Sequence, residues 1–290
     1  MNIVYAIDKN VYKLALVSVS SLLENNKNEK ITIYLLYQKI SPFIFKKFES
    51  LQKIRAFNLK KIKVDISHFK GLPFLPLTVE TWFRLELAEL LPNEDRTLYL
   101  DCDTMICSSL SEIYNRPMDD NDVMVRYENN LFAKEYLTLK SKTYFNAGVM
   151  LCNLKAWREH NLSKKLFEIA YRYKGKLKYN DQDVFNIVCD SSKILFNPGD
   201  VFLTYHPDNA ENHTIVHFIG PKPNTIECVN KKYQQEWWNY ARKTPCYKSL
   251  KHEYFMSMLK LFLNRLYSIS KIENKTIIRI LGIKICIKRK

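Results

Sequence analysis

The sequence has 290 residues, of which 47% are hydrophobic and 13% aromatic, and it carries a formal net charge of +15. That length fits one large domain or two modest ones. The apolar content excludes a globally disordered chain, and 6 Gly with 10 Pro in mixed sequence exclude collagen-like and low-complexity classes.

In chain order, residues 2–7 form a short apolar run that reads as a strand and ends in the polar cluster Asp8-Lys9-Asn10. Asp8 stands where a signal peptide needs its apolar stretch, so the start reads as a cytoplasmic N-terminus. Leu14, Val17, Ser21 and Leu22 fall near helical spacing, and residues 31–37 are rich in β-branched and aromatic side chains, hence a strand. Ser41-Pro42 predicts an N-cap and first turn, leading a helix through Ile54. Residues 62–66 predict another strand. Residues 78–91 predict an amphipathic helix stopped by Pro92. Residues 96–100 predict a strand that runs directly into Asp101-Cys102-Asp103. This rhythm implies a parallel, helix-covered sheet, in which ligands bind at the carboxyl ends of the strands. Asp8 and Asp101 both sit at such ends. No G-x-G-x-x-G or P-loop pattern occurs, which argues against dinucleotide dehydrogenases and P-loop enzymes.

The second half predicts a buried strand at 147–153, a helix at 154–173, a shorter helix at 181–189 and a short strand at 215–218 leading into Gly220-Pro221. No run of about 18 apolar residues suggests a transmembrane helix. The seven cysteines contain no C-x-x-C, which points to buried free thiols in a reducing compartment. A composition shift near Thr244-Pro245 divides a body, 1–245, from a basic tail, 246–290, that holds eleven Lys/Arg against two Glu.

Three polar clusters carry chemistry. In an extended segment residues i and i+2 point the same way, so Asp101 and Asp103 can face one cation; a solvated turn is the competing reading. Hard divalent ions prefer such oxygen ligands and share them with phosphates. His217, after an apolar strand, reads as a structural histidine or a ligand, with Gly220 and Lys222 close behind it. An imidazole in the shell favours Mn²⁺ over Mg²⁺. The third cluster joins Tyr144-Phe145-Asn146-Ala147-Gly148 to Asn180-Asp181-Gln182-Asp183. It reads either as a turn and an acid-rich helix start or as groups that grip sugar hydroxyls. For Asp183 the helix-start reading is preferred.

Four stretches together have a specific order and spacing: IVYAIDKN; WFRLELAELLP leading into LYLDCDTMI; YFNAGVMLCNLKAWR; and NDQDVFN followed by HFIGPKP. Over roughly residues 3–223 they resemble the retaining glycosyltransferases of family 8, which include bacterial lipopolysaccharide galactosyl- and glucosyltransferases. The resemblance implies an α/β GT-A fold, with a Rossmann-like nucleotide-sugar-binding half joined to an acceptor-binding half, here followed by the basic tail. It implies that Ala6, Asp8 and Asn10 hold the uridine of a UDP-hexose, galactose or glucose. It implies Mn²⁺, or Mg²⁺, on Asp101, Asp103 and His217, and diphosphate contacts from Gly220 and Lys222. Arg84 is implied to approach the donor ribose or sugar, and Asn146, Asp181 and Gln182 to surround the transferred hexose. Retention is then expected by same-face attack within a short-lived ion pair.

The sequence departs from the family pattern twice. Val11 stands where an aromatic often stacks on the base, with Tyr12 next to it. The motif H-F-I-G-P-K-P-N is one residue shorter than usual and ends in Asn224 rather than Trp. In the tail, Tyr254, Met258, Leu261, Phe262, Leu266 and Ile269 recur near helical spacing among basic residues, and the stretch after Gly282 alternates like a strand. These features predict peripheral contact with an anionic membrane, on the cytoplasmic face of the inner membrane, suited to a lipid-linked glycan acceptor; a helix that packs on the body, with a tail that serves only solubility, is the competing reading. The tail is read as separate from donor chemistry. No nucleic-acid motif appears, so nucleic acid is not expected as a partner. Three rival readings stand beside this: a phosphatase of the haloacid dehalogenase type, whose opening motif LYLDCDT resembles; a basic nucleic-acid or membrane-binding module, for which the net charge speaks; and a degenerate UDP-sugar binder without turnover.

Overall fold

The structure, a computed structural model, describes residues 1–73, 78–206, 212–272, 275–280 and 283–288, with side chains described to residue 264, that of residue 134 excepted. The first half alternates strand and helix: β1 (Asn2–Ala6), α1 (Tyr12–Asn25), β2 (Thr32–Tyr37), α2 (Pro42–Glu49) and β3 (Asn58–Lys63). A 3-10 helix at Val79–Glu86 and the single turn α3 (Leu87–Leu90) precede β4 (Arg96–Leu100) and β5 (Thr104–Ile106). Then come α4 (Ser111–Asn115), β6 (Val123–Tyr127), α5 (Leu131–Leu137), β7 (Phe145–Asn153), α6 (Leu154–Glu159), α7 (Leu162–Arg172) and α8 (Asn180–Val188). The chain continues through β8 (Lys193–Leu195), β9 (Val201–Leu203), β10 (Ile215–His217), α9 (Lys231–Ala241) and α10 (Tyr247–Leu266), and ends in an antiparallel sheet of β11 (Tyr267–Ile272), β12 (Lys275–Ile280) and β13 (Ile283–Lys288).

The central sheet has the order β3-β2-β1-β4-β7-β6-β8. Strands β3, β2, β1 and β4 are parallel, as the rhythm predicts. The all-parallel expectation fails beyond β4. Strand β7 runs antiparallel between β4 and β6, and β8 is parallel to β6. This reversal matters for the site, because it delivers the start of β7 to the edge where β4 ends. A smaller sheet, β5-β10-β9, flanks that edge.

Strand alternation builds the two layers of core. Ile3, Tyr5 and Ile7 point into one cluster with α1, while Val4 and Ala6 point into the other with Trp82 and Trp157. Likewise Leu98 and Leu100 face the first cluster and Tyr99 the second. Each fully buried large apolar side chain contributes about 1.5–3 kcal/mol. Six cysteines of the described residues are free and five of these are buried.

Several sequence boundaries shift for physical reasons. Ser41 caps α2 as predicted, its side chain accepting from the Phe43 amide. The strand expected at 62–66 lies at Asn58–Lys63 instead, because its pairing register with β2 starts at Asn58 opposite Thr32. It is a lysine-rich edge strand, a composition that discourages further pairing. The helix expected at 78–91 is mostly 3-10. In that winding residues i and i+3 eclipse, which sets Thr81 and Arg84 on one edge, and Arg84 Nε donates to the Thr81 carbonyl. The helix expected at 154–173 breaks at Asn161, whose φ of 51° lies in the left-handed region. In the tail, α10 ends at Leu266 and Ile269 falls in β11; the side chains of Leu266 and Ile269, and residues 281–282 and 289–290, lie outside the described residues. No helix among the described residues is long and apolar enough to cross a membrane.

Candidate active site

Strands β1 and β4 lie side by side and the chain leaves both at the same edge. Cys102 Sγ donates to the Ala6 carbonyl at 3.2 Å, tying the two exits together. Asp8, almost fully buried, accepts the Asn10 and Val11 amides at 2.7 and 2.8 Å through Oδ1 and the Asn10 side-chain amide at 2.9 Å through Oδ2. Asp8 and Asn10 therefore shape the loop into α1. Val11 and Tyr12 pack against the first core cluster, with Lys47 5.8 Å from the Tyr12 ring centre. Antiparallel pairing of β5 with β10 sets His217 opposite Thr104, next to Asp103. The Asp101 amide donates to the Gly148 carbonyl at 2.7 Å, fixing β4's exit against β7.

Asp101, Asp103 and His217 each present a ligand atom within 4.8 Å of the others. His217 Nε2 stands 3.2 Å from Asp103 Oδ1 and 3.6 Å from Asp101 Oδ2. Behind the ring, His217 Nδ1 lies 3.1 Å from Asn146 Oδ1, and that same oxygen accepts the Gly148 amide at 2.9 Å. An oxygen there can only accept, so Nδ1 carries the proton and Nε2 is turned to the carboxylates. This is how a protein orients a histidine for a metal. At Gly148 a Cβ would sit 2.1 Å from His217 Cε1 and 2.5 Å from Asp101 Oδ2, so the cluster closes only over glycine. A set of two carboxylates and one imidazole fits Mn²⁺, and Mg²⁺ less well.

Lys222 pairs with Asp103 and donates to the Phe218 carbonyl at 3.2 Å, so the shortened motif still brings its lysine to the acidic cluster. Gly220 has a φ of +73°, and the half-exposed Tyr205 ring lies where its Cβ would be, at 2.3 Å. Burial alone would raise the Asp103 carboxyl, but Lys222 and His217 overcome it and hold it well below the usual range. For Lys222, burial opposes the charge, yet Asp103 raises its pKa overall.

Arg84 is buried, and its described contacts are to protein. Nε is 2.6 Å from Asp181 Oδ2, Nη1 reaches Asp101 at 3.4 Å and the Ala147 carbonyl, and the guanidinium covers the Tyr99 ring. Burial lifts Asp181 to about 6, against the pull of Arg84 and of the Thr81 hydroxyl at 2.8 Å. The Arg84 guanidinium, 2.6 Å away, favours the charged form of Asp181.

Gln182 has a fixed amide orientation. Its Oε1 accepts the Ala147 amide at 3.1 Å, and Nε2 donates to Tyr144 Oη at 3.0 Å and Glu128 Oε2 at 3.2 Å. Asn146 Nδ2 also donates to Glu128 Oε2, at 3.1 Å. Glu128 was missed by sequence reasoning, and Tyr144, which opens the third polar cluster, was given no role of its own. Glu128 is the first residue after β6, at the same kind of strand end that singled out Asp8 and Asp101, but β6 carried no strand expectation. Asp183 behaves as the helix-start reading expects: Oδ2 accepts the Lys178 and Tyr179 amides, both at 2.9 Å, and Oδ1 accepts Tyr144 Oη at 2.8 Å.

Residues 2–224 match the family described as "Glycosyl transferase family 8". A putative glycosyltransferase of Haemophilus influenzae is 30% identical over 206 residues, which cover 68% of this chain and 61% of that protein's length. The lipopolysaccharide 1,3-galactosyltransferase of Salmonella typhimurium is 29% identical over 242 residues, 76% of this chain and 71% of that one. Among solved structures, the galactosyltransferase LgtC in complex with donor and acceptor sugar analogs is similar with a TM-score of 0.76 at 26% identity, covering 84% of this chain and 96% of that chain. The fold is therefore GT-A, as the sequence resemblance implied.

Proposed function

The chain belongs to glycosyl transferase family 8 and is a hexosyltransferase, and on that premise we propose that it transfers galactose or glucose from a UDP-sugar to a glycan acceptor, with retention of configuration and dependence on Mn²⁺. The acceptor is a bacterial lipopolysaccharide or surface-polysaccharide intermediate. The observation that carries the reading is the Asp101–Asp103–His217 cluster with Lys222 beside it, at the strand edge where nucleotides bind in such sheets.

Asp101, Asp103 and His217 would hold the cation, which when bound supplies positive charge to a leaving diphosphate. Lys222 adds charge fixed in the protein, and such preorganised charge is worth most where water is excluded. Asn146 keeps the His217 ring in its ligating tautomer. Arg84 holds Asp101 and Asp181 in place at once. Gln182 is a poor nucleophile in any case, and its oxygen is already bonded to the Ala147 amide. That favours attack by the acceptor on the face the nucleotide leaves. Asp181 and Glu128 provide negative charge near an oxocarbenium-like sugar. Ala6, Asp8 and Asn10 bind the uridine, and the loop that Asp8 organises is already set for it. Phe255, Met258 and Phe262 are exposed along α10 and are proposed to meet an anionic membrane surface.

The test is release of UDP from a panel of UDP-, GDP- and CMP-sugars, with Mn²⁺ or with EDTA, alongside calorimetric binding of UDP with Mn²⁺. Slow Mn²⁺-dependent hydrolysis of one UDP-hexose is expected. Hydrolysis of another nucleotide's sugar, or no binding of UDP with Mn²⁺, overturns the reading.

A further inference from the structure

The tail helix touches the body at a place that bears on donor binding. Helix α10 turns Leu250, Glu253 and Ser257 to the body, positions that share one face at helical spacing. Glu253 stands between the start of α1 and the turn after Lys222. One carboxylate oxygen pairs with Lys13, in the first turn of α1 just beyond the loop that Asp8 shapes. The other accepts Asn224 Nδ2 at 2.7 Å. Asn224 is the residue that replaces the family's Trp, two positions after Lys222.

The segment after Lys222 is held at every step. The Thr225 amide and hydroxyl both donate to the Lys222 carbonyl, at 3.0 and 2.9 Å. Buried Gln234 of α9 donates to the Pro223 and Thr225 carbonyls, at 2.9 and 2.7 Å. The Ile226 amide donates to Ser257 Oγ of α10 at 3.0 Å. Gln234 secures the inner side of the turn and α10 the outer. In a motif one residue short, the reach of Lys222 depends on where this turn is pinned.

We propose that Glu253 is a positioning residue for donor binding: through Asn224 it fixes the turn that aims Lys222. The tail's first three turns are thus part of the donor site, against the sequence expectation that the tail is separate from it. The proposal rests on the reading that Lys222 meets the diphosphate of a UDP-sugar.

The experiment uses the full chain and measures the dissociation constant of UDP with Mn²⁺ by calorimetry, and KM against kcat for the donor. Glu253→Ala weakens UDP binding about tenfold, raising KM with little change in kcat. Glu253→Gln keeps an acceptor oxygen for Asn224 and stays within about twofold of the parent, since a half-exposed ion pair such as that to Lys13 is worth little. Asn224→Ala matches Glu253→Ala, and the double variant is no worse than either, as coupled partners require. Parent-like binding by Glu253→Ala overturns the proposal. So does Glu253→Gln falling as far as Glu253→Ala, or additive losses in the double variant. If the parent itself does not bind UDP with Mn²⁺, the functional reading fails instead.

Discussion

Gly148 shows how one small residue decides what a cluster of larger ones can do. It lies in β7 beside the sheet edge, and its missing Cβ is the space occupied by the His217 ring and the Asp101 carboxylate. Alanine at this position must move the imidazole or the carboxylate, two of the three groups that face the cation. Displacements near 1 Å at a reacting centre cost on the order of 100-fold in rate. Gly148→Ala is therefore expected to lower Mn²⁺-dependent UDP release by about that factor and to weaken Mn²⁺ binding measured by spin-resonance titration. The two core layers are built elsewhere, so the thermal midpoint should fall by no more than several degrees. Undiminished Mn²⁺ affinity in the folded variant would mean that the metal does not sit on these three residues.

Elements reveal why some of this was legible in advance and some was not. Apolar runs, β-branched content and helical spacing located β1, α1, β2, β4 and α8 closely, because each buries its apolar side chains in the two layers of core. The acids at the strand ends followed from that pattern. What the pattern lacks is pairing direction: the buried apolar run in β7 is the same whether the strand runs parallel or antiparallel, so the reversal that brings Asn146 and Gly148 to the site was invisible. Glu128 was hidden because its strand was not seen. The break at Asn161 was hidden for another reason, since the apolar spacing continues across it and only the backbone changes hand. Asn161 makes no capping bond through its side chain, so its role is conformational. A non-glycine residue in the left-handed region costs about 1–2 kcal/mol, less for Asn. Asn161→Ala should thus destabilise by about 1 kcal/mol in urea unfolding, while Asn161→Gly stays near the parent. Equal midpoints for Asn161→Ala and the parent would show that the turn is not strained.

For the whole molecule, the question is how a body with its donor edge at one side meets an acceptor, and α10 gives the geometry for an answer. The helix carries two opposite faces. One, through Leu250, Glu253 and Ser257, is tied to the body; the other exposes Phe255 at 52%, Met258 at 40% and Phe262 at 56%, with Lys248 and Lys251 on the same side. An exposed apolar stripe framed by lysines is what an interfacial helix presents to anionic lipid. Each basic residue near such a surface adds about 1 kcal/mol, and the attraction weakens with salt. The parent chain is therefore expected to sediment with vesicles containing anionic phospholipid, much less with zwitterionic ones, and less in high salt. Phe255→Ser with Phe262→Ser should release it while leaving UDP binding intact, because neither side chain lies on the face that holds the turn after Lys222. If the double variant sediments as well as the parent, the stripe does not contact lipid; if it also loses UDP binding, the two faces are not independent and the helix communicates between membrane and donor site.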